Sequence, residues 1–107
     1  MSYQVKILGR AMADADAIYL WIAKRSRQGA WRLHEALLSA AAILSEQPHQ
    51  HPLAPESQEL PEVVRELLFK TPRGRKYRLL FVIFGNEVRI VSVRGPGQPP
   101  VTADDVA

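Results

Sequence analysis

The feature that most constrains the fold is a run of three strand-like segments between residues 63 and 94. A short basic turn separates the first two, 63–70 and 77–84, and only Gly85-Asn86 separates the second from the third. Two-residue loops containing glycine are typical of tight hairpins between antiparallel strands. The sequence therefore predicts a three-stranded antiparallel meander.

The same turn predicts how the last two strands pair, since pairing continues outward from its two central residues. The expected pairs are Phe84–Glu87, Ile83–Val88, Phe81–Ile90, Leu79–Ser92 and Tyr77–Arg94, with Arg78 opposite Val93 on the other face. The polar groups of Tyr77, Arg78 and Arg94 should then collect at the end away from the turn. Because both faces are apolar near the middle, we expect helices on one face, and partial cover by the N-terminal segment, the tail or a partner chain on the other.

Patterns before the meander predict one strand and two helices. Residues 3–8 alternate apolar and polar, as a strand with one buried face does, and residues 11–25 have helical spacing. Gly29 interrupts that spacing, and 30–47 follows as a helix rich in alanine and leucine. The short connection between the two predicts an antiparallel helical hairpin. The inward stripe of the second helix is expected at Trp31, Leu37, Leu38, Ala41, Leu44 and Ser45.

The remaining segments are rich in proline. Four prolines predict an ordered but irregular loop over 48–62, and Gly95-Pro96-Gly97 ends the last strand. We expect residues 95–107 to form a loosely ordered tail. The sequence thus predicts a single α+β domain over residues 1–107.

Composition narrows the function classes. The chain has 107 residues, a net charge of +3 and no cysteine, which excludes disulfides and thiolate metal sites. His49-x-His51 has no third ligand nearby and is interpreted as a loop pair. No signal peptide is expected, and the longest apolar run, Leu79–Phe84, is too short to span a membrane. We expect a cytoplasmic protein with no membrane partner, no metal and no cofactor.

A basic segment lies at the first turn of the meander. Lys70, Arg73, Arg75, Lys76 and Arg78 fall within nine residues, with no acid among them. Such an edge can attract phosphates or an acidic protein surface. A solvated hairpin turn explains it equally well.

The order of these pieces resembles the RelE/ParE superfamily of toxins from toxin–antitoxin modules. The matching segments are Ala13–Ile18, Ala30–Arg32 with Leu37–Leu44, Gln47-Pro48 with Pro55-Glu56, Val64–Leu67, Tyr77–Phe81 and Val91–Gly95. Each is weakly specific, whereas the ordered set is fairly specific and covers nearly the whole chain. The resemblance implies a strand, a helical hairpin and a three-stranded meander. It also implies a toxin that arrests growth, serves plasmid stabilisation and is neutralised by a cognate antitoxin.

Two chemistries occur on this fold, and the first is cleavage of mRNA on the ribosome by RelE-like toxins. Such cleavage needs a base, an acid and cations for the charge on the phosphorane. The resemblance makes Arg78 the phosphate-stabilising residue. The full set of catalytic candidates is Arg65, Lys70, Lys76, Tyr77, Arg78 and Arg94. However, residues 94–100 contain neither the tyrosine nor the histidine that such nucleases tend to place there, and Glu66 interrupts the strand where paired lysines would stand.

The second chemistry is inhibition of DNA gyrase by ParE-like toxins, which are not known as hydrolases. The missing terminal acid and the long helical hairpin favour this alternative. The candidates for contact with the antitoxin or gyrase are then Arg65, Arg73, Arg75, Arg78, Arg94, Trp21 and Trp31. Each arginine could equally be exposed on a strand or paired with a carboxylate, and the tryptophans could pack between helices. A non-toxic remnant or plain binding module is the remaining alternative.

Overall fold

The predicted meander and one added strand form a four-stranded sheet in the computed structural model, which describes residues 2–71 and 74–106. The strands are β1 (Gln4–Ile7), β2 (Arg65–Lys70), β3 (Lys76–Phe84) and β4 (Glu87–Arg94), and the helices are α1 (Gly9–Ala23), α2 (Arg27–Ile43) and a short α3 (Ala103–Val106). The strand order is β1-β4-β3-β2, with β1 parallel to β4 and the other pairs antiparallel. The predicted α+β class and element order are confirmed.

The helical hairpin turns earlier than predicted. Ser26 caps α2, because its hydroxyl accepts a hydrogen bond of 2.9 Å from the Gly29 N–H. The prediction that Gly29 ends the helical pattern is therefore wrong, since this residue lies in the first turn of α2. A side chain there would begin 3.2 Å from Ile22 Cγ2, so glycine permits the close approach of α1 and α2.

The inward stripe of α2 also differs from the prediction. Trp31 and Leu38 were expected to be buried, but they are 55% and 52% exposed. The residues that α2 and its end do bury are Ala30, Leu33, Ala40 and Leu44. These positions are spaced by three, seven and four residues, so they lie on one helix face. Small alanines on that face let the hairpin lie close to its neighbours, while Trp31 and Leu38 face outward.

A β-bulge in β4 changes the predicted register. Pairing agrees with the prediction from Phe84–Glu87 to Phe81–Ile90, where Gly85 adopts a φ of 63° in the turn. Val91 is then an extra residue, so the expected Leu79–Ser92, Arg78–Val93 and Tyr77–Arg94 pairs are wrong. The observed pairs are Leu80–Ser92, Leu79–Val93 and Arg78–Arg94.

Asp14 of α1 lies against this bulge. One oxygen of its carboxylate accepts from the Ser92 hydroxyl at 2.7 Å and from the Val93 N–H at 3.1 Å. A bulge disrupts the local ladder of hydrogen bonds, and buried backbone groups need other partners. The helix supplies that partner, which explains why the register shifts here.

Two apolar cores lie on opposite faces of the sheet. The helical hairpin covers one face, in a cluster that includes Ala11, Ala40, Leu44, Leu79, Phe81, Val88, Ile90 and Val93. The proline-rich segment and the tail cover the other, in a cluster of Ala54, Val64, Leu80, Val91 and Val101. Within the proline-rich segment, 3₁₀ turns form at Pro48–Gln50 and Pro55–Glu59. The tail was expected to be loosely ordered. In the structure Val101 is buried in the second cluster, and residues Ala103–Val106 form α3.

Candidate functional site

Arg78, on β3, lies at the centre of an ionic network beside the second core. Its two terminal nitrogens donate to the two oxygens of Glu56 at 2.7 and 2.6 Å, and its Nε donates to Glu66 at 2.9 Å. The Glu56 carboxylate also accepts from the Val101 N–H at 3.1 Å. A bidentate arginine–carboxylate pair is among the stronger ionic interactions in proteins. The network therefore ties β3 to β2, to the proline-rich segment and to the tail.

The pairing has the expected effect on both charges. The hydrogen bonds from Arg78 lower the pKa of Glu56 from its usual 4.5 to about 2, although burial of the carboxylate opposes this. The hydrogen bond to Glu56 likewise raises the pKa of Arg78 above its usual value. Both groups are therefore charged at neutral pH.

Arg94, directly opposite Arg78 on β4, is held by the tail. Its terminal nitrogen lies 3.0 Å from Asp105, which also pairs with Arg10 of α1 at 3.1 Å. The Arg94 Nε is buried and has no hydrogen-bond partner among the described residues. Three arginines and three carboxylates thus meet at this end of the sheet, a set we call the arginine–carboxylate network: Arg10, Arg78, Arg94, Glu56, Glu66 and Asp105.

Arg65, the third candidate arginine, contacts backbone. Its Nη1 donates to the carbonyl oxygens of His51 at 2.7 Å and His49 at 3.3 Å. These bonds hold the proline-rich segment beside the start of β2. The three strand arginines among the catalytic candidates are thus all engaged within the protein.

The remaining catalytic candidates lie near the β2–β3 connection. Lys70 and Lys76 are paired across the two strands, and both are exposed. Tyr77 is buried and stacks on Phe69 with ring centroids 5.7 Å apart. Burial raises the pKa of the Tyr77 phenol above its usual 10.0, and the positive charge of Arg75 opposes this effect.

A cleft of about 640 Å³ opens beside this connection, between the tip of the helical hairpin and the turn that follows β4. We call it the hairpin cleft. Its apolar lining comes mainly from Ala17, Ile18, Trp21, Ile22 and Pro96, and its polar lining from Arg32, Thr71, Arg75, Tyr77 and Gln98. This volume and mixture are typical of binding sites.

The two tryptophans differ in their relation to the cleft. Trp21 lines the cleft and is 59% exposed, and the Arg25 guanidinium lies 4.1 Å from the centroid of its ring. Trp31 is not among the described lining residues and packs against His34 instead. The other interpretation was that the tryptophans pack between helices. Neither is buried there, since both side chains are more than half exposed. Arg73, a further contact candidate, lies outside the described residues.

Four residues of this region are not among the candidate residues that the sequence pattern singled out. The carboxylates Glu56, Glu66 and Asp105 were not recognised as partners of the arginines, and Arg32 was not a candidate. For Glu66 the signal is strand periodicity. Glu66 lies two residues from Leu68, and Leu68 pairs with Arg78, so the side chains of Glu66 and Arg78 lie on the same face of the sheet. For Glu56 and Asp105 no local pattern exists, because the proline-rich segment and the tail bring them to the arginines.

Within residues 2–71 and 74–106, no group of three metal-ligating side chains could hold an ion. No helix in the same residues is long and apolar enough to cross a membrane.

Comparison with known proteins places this geometry in context. Residues 5–98 match a family model described as the ParE toxin of the type II toxin–antitoxin system parDE. No curated protein matches the sequence. Among solved structures, the chromosomal ParDE system of P. aeruginosa matches with a TM-score of 0.65 and 22% identity, over 87% of this chain and 95% of that chain. An arginine-substituted mutant of E. coli toxin RelE in the free state matches with a TM-score of 0.54 and 17% identity, over 91% and 86%. At these identities the two structures show a shared fold.

Proposed function

Because this chain belongs to the ParE toxin family of type II toxin–antitoxin systems, we propose that it inhibits DNA gyrase and is neutralised by a cognate antitoxin. The state of the strand arginines is the observation that supports this choice over cleavage of mRNA. Arg78 and Arg94 are paired with carboxylates, and Arg65 is bonded to carbonyl groups. The proposal places the toxin in the cytoplasm, where expression without antitoxin arrests growth.

A ribonuclease has to present free cations to the charge that develops on the phosphorane. Arg78 directs three of its five N–H groups at carboxylates, and its ion pairs lie in a partly buried site. Removing it from Glu56 for an RNA phosphate would leave a carboxylate that is only 7% exposed without its partner. That exchange is costly, so the geometry favours a structural role for Arg78.

The deciding experiment measures DNA supercoiling by purified gyrase with the full-length toxin, in parallel with cleavage of mRNA on purified ribosomes. We expect inhibition of supercoiling with accumulation of cleaved DNA, reversed by the product of the adjacent gene. Cleavage of mRNA without any effect on gyrase would overturn the proposal.

Tyr77→Phe provides a matched test of mechanism. The substitution removes the only hydroxyl among the catalytic candidates and keeps the ring that stacks on Phe69. If the toxin acts by binding gyrase, the variant should inhibit supercoiling within about twofold of the unaltered chain. A nuclease that used the phenol as its acid would lose about 100-fold or more in rate.

A further inference from the structure

The hairpin cleft differs from the arginine–carboxylate network, because its two arginines lack carboxylate partners among the residues that the structure describes. Arg32 and Arg75 form no ion pair with any residue that the structure describes, whereas Arg10, Arg78, Arg89 and Arg94 each form at least one. None of the described lining residues is acidic. The cleft therefore carries positive charge that the protein itself does not neutralise.

The body of the cleft is apolar. Ile18 and Ile22 are half-buried on α1, and Trp21 is more than half exposed between them. Exposed tryptophan and arginine side chains around an apolar depression are typical of the centres of protein interfaces. A large apolar side chain would fill this depression and displace water from it.

We propose that the hairpin cleft binds a segment of the cognate antitoxin that carries a large apolar residue next to acidic residues. The apolar residue would enter between Trp21 and Ile18, and the carboxylates would pair with Arg32 and Arg75. Charge complementarity is the argument for this occupant, since the cleft offers two unpaired guanidinium groups and no acid. The inference depends on family membership, which implies an antitoxin, and not on gyrase as the target.

Single-stranded nucleic acid fits the cleft less well. Such ligands need a track of cations along the backbone and exposed rings on which several bases can stack. The described lining provides two arginines and two aromatic rings, of which Tyr77 is buried. A short oligouridine whose binding to the toxin is lost in Arg75→Glu, while the antitoxin binds both proteins equally, would overturn the proposal.

Charge reversal tests the proposed ion pairs through the affinity of the full-length toxin for the antitoxin. We expect Arg75→Glu to weaken binding by about tenfold or more. The control is Lys76→Glu, at the next position and also exposed, which changes the net charge by the same amount but lies outside the described lining. It should weaken binding by no more than about twofold. Equal effects of the two variants would overturn the proposal, because they would indicate only long-range attraction.

Filling the cleft tests the apolar contact without changing charge. Ala17 lines the cleft and is exposed on α1, so Ala17→Phe should occupy it while the fold is kept. Ala13→Phe, one turn earlier and also exposed, is the control. We expect only the first to reduce antitoxin affinity, again by about tenfold. Unchanged affinity in Ala17→Phe would overturn the proposal.

The two tryptophans supply a direct spectroscopic readout. When the toxin is labelled with 5-fluorotryptophan, it should give two ¹⁹F signals, which Trp21→Phe and Trp31→Phe assign. Addition of unlabelled antitoxin should shift the Trp21 signal. A Trp21 signal that stays in place at saturating antitoxin would overturn the proposal, whatever the result with gyrase.

Discussion

The resemblance assigned phosphate binding to Arg78, but the carboxylates around this residue indicate a structural role. It pairs directly with Arg94 across β3 and β4, and like charges at such positions repel. Glu56, Glu66 and Asp105 surround the two guanidinium groups and offset that repulsion. Arg78 thus joins the proline-rich segment and β2 to β3 through charge.

The first prediction concerns removal of Arg78. Arg78→Ala leaves Glu56 almost fully buried without its main partner, so we expect the free energy of unfolding to fall by about 3 kcal/mol. Urea denaturation would measure it. Adding Glu56→Gln to this variant removes the stranded charge and should restore part of the loss.

Arg89→Ala is the control, since Arg89 also pairs with a glutamate but is 40% exposed. Its loss should change the free energy of unfolding by no more than about 1 kcal/mol. If Arg78→Ala were no more harmful than Arg89→Ala, the network would have no structural role, and a free cation for phosphate binding would again be tenable.

The second prediction concerns acid. The pKa of Glu56 is about 2 in the folded chain, against a usual 4.5. A lowered folded-state pKa contributes stability that is present above the unfolded value and is lost as the pH falls towards the folded value. We therefore expect protonation of Glu56 to decrease the free energy of unfolding by about 2 kcal/mol between pH 4.5 and 2. This value is smaller than the full pKa shift would give, because solvent screens the partly exposed ion pair.

Glu56→Gln isolates this contribution from those of Glu87 and Asp105, whose pKa values are also lowered. Thermal unfolding of both proteins across this range should show a shallower acid loss in the variant. Parallel curves would mean that Glu56 titrates normally and that its pairing with Arg78 is weak.

At the scale of elements, the limits of sequence-based prediction are clear in β4. The Gly85-Asn86 turn depends on adjacent residues, so it predicted the pairing correctly as far as Phe81–Ile90. The bulge after Ile90 is hydrogen-bonded to Asp14, which is 78 residues away from Ser92 in sequence. No local pattern contains that contact, and the register was predicted wrongly beyond it.

The candidate site also combines features that adjacent residues predict with contacts between residues distant in sequence. Residue types and strand periodicity identified the arginines at the end of the sheet away from the turn. Two of their partners, Glu56 and Asp105, come from the proline-rich segment and the tail, and Glu56 lies 22 residues from Arg78. A helix face is similarly ambiguous when alanines are abundant, which explains why Trp31 was expected to be buried.

The third prediction tests the link between α1 and the bulge. Asp14→Ala leaves the Ser92 hydroxyl and the Val93 N–H without their acceptor, so the free energy of unfolding should fall by about 2 kcal/mol. Asp16→Ala, in the same helix at an exposed position, should change it by about 0.5 kcal/mol or less. Urea denaturation of both variants would check this, and equal stabilities would show that the bulge forms without Asp14.

At the scale of the molecule, the sheet has two buried faces although only one is covered by long helices. A domain of 107 residues buries a limited apolar area. The second face is covered by the proline-rich segment and the tail, both anchored by the arginine–carboxylate network. The order of the tail in solution therefore bears on the stability of the whole chain.

The last prediction tests that order through two valines. Val101, on the tail, is 4% exposed in the second core, whereas Val63 is 61% exposed. If the tail is packed as the structure shows, Val101→Ala should reduce the free energy of unfolding by about 2 kcal/mol, because it removes buried methyl groups and leaves a cavity. Val63→Ala should change it by about 0.5 kcal/mol or less. Urea denaturation decides between packing and the loosely ordered tail that the composition suggests, since a loose tail would make the two valines equally dispensable.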